Sequence, residues 1–422
     1  MAYFLYNVFL VVIFLVALPF APLLMLFGPK YRAGFAQRLG FYPSNWPSSD
    51  ALAGTVWIHA ASVGEVTSVV PLIKALKTIT PQRKVLISSF TATGNRMGRE
   101  MSGADTAIFL PLDLLWIVRC VLGRFKPCLL IVVETEIWPN LLREAYRRGI
   151  PTLLLSGRLS ARSLPRYLRF KSFFGRVLGF FTAMGMQSEQ DAERIRALGA
   201  VDAKVSVVGS LKFAVDGAGP RHNPLHSLLC RDKQWLVAGS THHGEEEILL
   251  ESFAFLRTQF PKLSMVLAPR HPERFTEVEK ILERSRFEFA RRSRIDRDKL
   301  FDKDILLLDS VGELSDFFGF GDIAFVGGSL VDAGGHNVLE PARWHKPILF
   351  GPFMANFKSI AEQLKRAGAA IEVSDCDELS AALVALLGDA EKNQRMGAQA
   401  AQVAQDGNHA FARNLQLSQR YL

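Results

Sequence analysis

Short apolar runs alternate with helical stretches along most of this chain, and the alternation stops once and restarts. In the first half the runs fall at residues 56–59, 84–89, 107–110, 129–133, 152–155, 183–187 and 205–208. In the second they fall at 235–238, 264–268, 305–308, 323–326, 347–350 and 371–373. Buried runs spaced by helices predict parallel sheets covered on both faces. The break, DGAGPRHNP at 216–224, is rich in Gly, Pro and polar residues and reads as a linker. A chain of 422 residues also exceeds the usual size of one core. The expectation is one doubly wound α/β architecture used twice, with ligands at the carboxyl ends of strands in the cleft between halves.

Residues 1–29 carry no charged side chain, and 3–27 are nearly all apolar, enough to span a hydrocarbon core of roughly 30 Å as a helix. Lys30, Arg32 and Arg38 follow, which by the positive-inside rule places the body on the cytoplasmic side. No basic region precedes the run, as a cleaved signal peptide requires. Pro19 and Pro22 interrupt its second half, so the segment either spans the bilayer or enters it shallowly. The predicted organisation is therefore an anchor at 1–28, one domain at 29–215, the linker at 216–224 and a second domain at 225–422, whose last helix packs back on the first domain. The net charge of +9 suits anionic lipid or phosphorylated substrates. No run of Lys and Arg interleaved with aromatics points to nucleic acid. The four cysteines form no CxxC pair and read as reduced thiols.

Several segments at strand ends can carry chemistry. WIHAASVGEV (57–66) reads as a strand, a small-residue turn and a helix start, with Glu65 as its carboxylate. Small residues let a substrate approach the backbone. An acid there is placed for chemistry or simply begins a helix. ETEIWPN (134–140) sets Glu134 and Glu136 at a strand end, to position a sugar, share a proton or complement a helix dipole. GSLK (209–212) ends on Lys212, directed into the cleft or to solvent. GSTHHGEE (239–246) matches no metal-ligand spacing, and no metal is expected. In APRHPER (268–274), Arg270, His271 and Arg274 converge to hold phosphate or carboxylate, or form a solvated basic loop. GGSLVDAGGHNVLEPA (327–342) has two glycine pairs that offer bare backbone. It continues with Asn337 at a helix start that attracts phosphate and Glu340 within reach of ribose hydroxyls. It is neither a Walker motif nor GxGxxG, so an ordinary glycine-rich connection is the other reading. No GxSxG elbow supports serine catalysis.

Taken in order, the N-terminal anchor, WIHAASVGEV, ETEIWPN, SGRLS (156–160), GSLKF, AGSTHHGEE, APRHPER and GGHNVLEPA resemble the Kdo transferases, the 3-deoxy-D-manno-octulosonic acid transferases of lipopolysaccharide assembly. The resemblance covers nearly the whole chain. It implies a GT-B glycosyltransferase fold, CMP-Kdo as donor, a lipid A precursor (lipid IVA) as acceptor, inversion, and no cofactor or metal. It implies that Glu65 is the general base and that Glu134 and Lys212 support the transition state. It implies CMP binding by Pro269 and Arg270, by Gly312, Glu313 and Leu314, and by Asn337, Val338, Leu339 and Glu340. It also implies residence on the cytoplasmic face of the inner membrane, against anionic lipids. The chemistry agrees: a sugar hydroxyl is a poor nucleophile that needs a base, and departing CMP needs compensating positive charge. The alternatives are another membrane-associated nucleotide-sugar enzyme of the same fold, or a non-catalytic nucleotide-binding membrane protein. The sequence does not fix an oligomeric state.

Overall fold

The computed structural model describes residues 2–20, 32–42, 53–100, 102–134, 136–213, 229, 232–295 and 301–422. The predicted linker, residues 21–28 of the predicted anchor, and Cys230 lie outside the described residues. Two compact units result, Met1–Ala214 with Gly407–Leu422, and Val215–Asp406.

The first unit holds a seven-stranded parallel sheet. Its strands are β1 (Val56–His59), β2 (Val85–Ser89), β3 (Thr106–Phe109), β4 (Leu129–Val133), β5 (Thr152–Gly157), β6 (Ala183–Met186) and β7 (Val205–Val207). They run in the order β3-β2-β1-β4-β5-β6-β7. Every residue of β1 and β4 is buried, so these strands read as unbroken apolar runs rather than alternating ones. Alternate side chains feed opposite faces. Trp57, Leu130 and Val132 pack on one side of the sheet, and Val56, Ile58, Leu129, Ile131 and Val133 on the other. Five helices of this unit matter for the site: α1 (Ala2–Ala17), α2 (Val63–Ile79), α3 (Leu115–Phe125), α4 (Pro139–Arg147) and α5 (Lys171–Leu178). With the 3₁₀ turn Leu18–Phe20, α1 forms a stretch of 19 residues long and apolar enough to cross a membrane.

The second unit repeats the plan. Its strands are β8 (Gln234–Thr241), β9 (Leu263–Pro269), β10 (Phe289–Arg291), β11 (Ile305–Leu307), β12 (Ile323–Val326), β13 (Ile348–Phe350) and β14 (Ala370–Glu372), in the order β10-β11-β9-β8-β12-β13-β14. Helix α6 (Glu245–Gln259) follows β8. The long α7 (Ala390–Gln419) closes the chain, and its end belongs to the first unit, where Asn414 Nδ2 donates to the Gly209 carbonyl at 3.3 Å. The sequence reading overlooks β10. This edge strand is half-exposed at all three positions, follows Glu288, ends on Arg291 and is followed by Arg292, so it lacks the apolar signature of its buried neighbours. Strand order reverses between β1 and β4 in one sheet and between β8 and β12 in the other. Loops leaving the carboxyl ends of strands at such points form binding crevices.

Candidate active site

In the first unit the crevice is acidic. Ser62 caps α2 with its hydroxyl, which accepts from the Glu65 N–H at 3.4 Å. The Glu65 carboxylate folds back, accepting from Ala61 N–H at 2.8 Å and from the Ser62 hydroxyl at 2.9 Å. Glu65 thus closes the helix end in the manner of a capping box. It is also only 8% exposed. Burial pushes its proton affinity up, and the negative charges of Glu134 and Glu136 push it further, against the pull of the Ala61 and Ser62 bonds.

Glu134 leaves β4 with φ 59°, a left-handed backbone that costs a non-glycine residue energy. Its N–H still donates to Leu155 O at 3.0 Å, and its carboxylate pairs with Lys212. Lys212 is brought there through Ser156 at the end of β5, whose hydroxyl accepts from Leu211 N–H at 2.6 Å. Glu136 accepts from Trp138 Nε1 at 2.9 Å and lies 3.8 Å from the buried His59 Nε2. The other His59 ring nitrogen is 3.0 Å from the Ser88 hydroxyl. Glu65, Glu134 and Lys212, which lie up to 147 residues apart in the sequence, therefore meet at the β1/β4 reversal. His59 and Ser156 belong to this cluster; the sequence reading includes both in its motifs but gives neither a role. His59 ends β1 and Ser156 is the penultimate residue of β5, and those positions are the available signal.

In the second unit the crevice is a cavity of ≈ 180 Å³ lined by Gly239, Ser240, Arg270, Phe318, Val326, His336, Asn337, Glu340 and Phe357. Arg270 is held at the end of β9 by its N–H to Thr241 O at 3.0 Å. Burial raises the proton affinity of Glu340, which Arg270 opposes. Burial and the Arg270 charge bring His336 down to about 4, so its ring is neutral at pH 7. It stacks on His242, Nε2 to Nε2 at 2.9 Å.

Three local expectations are corrected. First, the start of the glycine loop does not offer its bare backbone to a ligand. The N–H groups of Gly328, Ser329 and Leu330 all donate to the buried Glu245, at 2.7, 2.9 and 2.9 Å. Gly327 is required beside them, since a Cβ there would lie 2.8 Å from Glu245 Oε2 and 2.6 Å from Ser240 O. Second, the helix after Asn337 is one turn, Leu339–Ala342, and Leu339 N–H donates to Asn337 Oδ1 at 3.1 Å. Third, Arg274 is committed to a bidentate pair with the buried Glu246, at 2.8 and 3.0 Å, and is not left free to hold a ligand anion as Arg270 is placed to do.

Pro269 ends β9, and Val338 and Leu339 are buried behind Asn337. Gly312, Glu313 and Leu314 follow β11, outside the cavity lining, and Glu313 accepts from Arg292 at 2.9 Å. The aromatic walls Phe318 and Phe357 carry no motif that sequence could have singled out. Among the described residues no group of three or more His, Cys, Asp and Glu could hold a metal ion.

Residues 33–215 match the family described as 3-Deoxy-D-manno-octulosonic-acid transferase (kdotransferase). The 3-deoxy-D-manno-octulosonic acid transferase of Haemophilus influenzae is 36% identical over 96% of this chain and 95% of its own. That of Chlamydophila psittaci is 32% identical over 87% of this chain and 84% of its own. Among solved structures, MurG of Acinetobacter baumannii superposes with a TM-score of 0.50 at 12% identity, over 87% of this chain and 99% of its own, a likeness of fold.

Proposed function

Because this chain belongs to the 3-deoxy-D-manno-octulosonic acid (Kdo) transferase family and is a glycosyltransferase of GT-B fold acting in lipopolysaccharide biosynthesis, we propose that it moves Kdo from CMP-Kdo to a lipid A precursor, lipid IVA, with Glu65 as general base. In this reading Glu65 accepts the proton of the acceptor hydroxyl as that oxygen bonds to the anomeric carbon of Kdo. The bond from that carbon to the CMP phosphate oxygen breaks, and CMP leaves with the electron pair. Attack opposite the leaving group inverts the centre. The second unit holds the donor. Arg270 compensates the phosphate charge that grows as CMP departs, Asn337 and Glu340 bond the nucleoside, Pro269, Val338 and Leu339 back these residues from outside the cavity lining, and Gly312, Glu313 and Leu314 complete the CMP site beyond it. Lys212, oriented by Glu134, faces the Kdo carboxylate.

The observation that carries this reading is the carboxylate cluster at the β1/β4 reversal. Glu65 sits partly desolvated beside two other negative charges, which raises its basicity above that of an ordinary glutamate. The exposed apolar side chains of α1 attach the enzyme to the cytoplasmic face of the inner membrane, where anionic lipids meet a chain of charge +9.

The test is an assay of purified enzyme with CMP-Kdo and lipid IVA, read by product mass. Wild type is expected to form Kdo-bearing lipid, and Glu65→Gln to lose at least ~100-fold in kcat while still binding CMP. Product formed only from UDP-sugars would remove the donor assignment, and full transfer by Glu65→Gln would remove the base.

A further inference from the structure

Helix α1 is more than a tether. Tyr3, Tyr6, Asn7, Leu10, Val11 and Phe14 are half-buried, whereas Phe4, Leu5, Val8, Phe9, Val12, Ile13, Leu15 and Val16 are exposed. The half-buried set recurs at three- and four-residue steps, one stripe of the helix. The apolar end of this stripe packs on the first unit, with Phe14 edge-on to Trp116 of α3 at 6.0 Å. At the other end the Tyr6 ring lies 5.5 Å from Phe173 of α5, and Arg143 of α4 stands 4.2 Å over the Tyr3 ring. Tyr3 and Phe14 are about 17 Å apart along a helix rising about 1.5 Å per residue. Both ends rest on the same unit, so the helix lies along it. A helix packed along the unit in that way leaves its outward apolar face free to meet lipid.

The polar end of the stripe reaches the catalytic loop. Tyr6 donates its hydroxyl to Asp113 Oδ2 at 2.8 Å. The same Asp113, buried before α3, accepts from Asn140 N–H and Leu141 N–H, each at 2.9 Å, and so caps α4 from another segment. Asn140 is fully buried; its Nδ2 donates to Asn7 Oδ1 at 3.0 Å, and its Oδ1 accepts from the Tyr3 hydroxyl. Asn140 closes the loop that begins at Glu134 and contains Trp138, which holds Glu136. Three side chains of α1 thus fix the far end of the loop whose near end carries the strained Glu134.

We propose that α1 is a working part of the catalytic unit: packed along that unit with its outward face to lipid, it uses Tyr3, Tyr6 and Asn7 as positioning residues that set the 134–140 loop through Asp113 and Asn140. Attachment to lipid and the geometry of the acidic crevice are then coupled. This rests on the assignment of that crevice to the reaction, which Glu65→Gln tests separately. Loss of activity in Glu65→Gln combined with full activity in the seam variant would defeat only the coupling.

The experiment uses full-length enzyme, CMP-Kdo, and lipid IVA dispersed in detergent micelles, where attachment to a membrane no longer limits the rate. Tyr6→Phe/Asn7→Ala is expected to lower kcat about 10-fold with the donor KM unchanged, and still to float with vesicles of anionic lipid. Tyr6→Phe alone deletes one hydroxyl and no packing surface, and is expected to lower kcat about 3-fold. Leu5→Ser/Phe9→Ser, on the outward face, is expected to lose vesicle binding and keep wild-type kcat in micelles. Wild-type kcat for the double seam variant in micelles overturns the proposal, as does an equal kcat loss in the outward-face variant.

Discussion

Glu65 and Glu245 hold the same place in two copies of one architecture. Each sits in the first turn of the helix that follows the central strand at the order reversal, α2 after β1 and α6 after β8. Burial raises the proton affinity of both. What surrounds them differs. Glu245 is fully buried and takes four backbone N–H groups, those of Gly328, Ser329, Leu330 and His242, the last at 2.9 Å. Glu65 takes one N–H and one hydroxyl, and two other carboxylates bear on it. The first arrangement knits two loops together and leaves the oxygens nothing further to do. The second leaves a carboxylate rich in charge and poor in donors, able to exchange the Ser62 hydroxyl for a substrate proton. Position in the fold therefore does not assign a role; the donors around each carboxylate do.

The sharpest way to break this comparison is to neutralise each acid without changing its shape. Glu245→Gln turns one acceptor oxygen into a donor facing N–H groups and strands two of them. At ~2 kcal/mol for each buried unsatisfied donor, stability falls by about 4 kcal/mol. Thermal unfolding should show this as a clear drop in Tm. An unchanged Tm would mean that the Glu245 bonds are incidental. Glu65→Gln is the mirror case. Its kcat falls at least ~100-fold, about 2.7 kcal/mol of barrier, while its Tm stays close to wild type because the Ser62 cap and the buried face of α2 remain. If Glu65→Gln instead unfolds the protein, the two glutamates are alike and the contrast fails.

A smaller effect separates the cationic side. Arg270→Ala removes the one arginine that, among the described residues, lines the second-unit cavity, and is expected to raise the donor KM about 10-fold. Arg274→Ala, by contrast, leaves Glu246 buried without its bidentate partner, so it should lower Tm before it changes KM. A KM effect from Arg274 larger than that from Arg270 would reverse the assignment.

These contrasts also mark what sequence can and cannot deliver. The buried strands β1, β4, β8 and β12 are legible because both faces are covered and the apolar run is unbroken. β10 is not, because an edge strand with half-exposed residues has no such run. Glu65, Glu134 and Lys212 are legible as polar residues at strand ends, and the sheet order brings them together. The fate of the glycine loop is not legible. Its N–H groups look free until α6 delivers Glu245 from 83 residues upstream of Gly328 to accept them. Arg274 is misread for the same reason, since Glu246 comes from that same helix turn. Which donor meets which acceptor across elements is a tertiary fact, and one-dimensional spacing does not carry it.

The finest test of the comparison is the pH profile. A general base must be ionised, so kcat/KM rises with pH through the pKa of Glu65 in the free enzyme. Burial and the charges of Glu134 and Glu136 raise that pKa, so the acid limb should lie above the ordinary glutamate value of about 4.3. Glu136→Gln removes one of those charges, and the limb should then move to lower pH by a few tenths of a unit, as expected for a partly screened carboxylate pair. The sign is the informative part. Withdrawing a negative neighbour makes the proton on Glu65 easier to lose, whereas weakening its hydrogen bonds from Ala61 or Ser62 makes it harder. An upward shift in Glu136→Gln would mean that the loop has moved and disturbed the Ser62 cap. A limb that stays put would mean that Glu136 acts on the acceptor and not on the base.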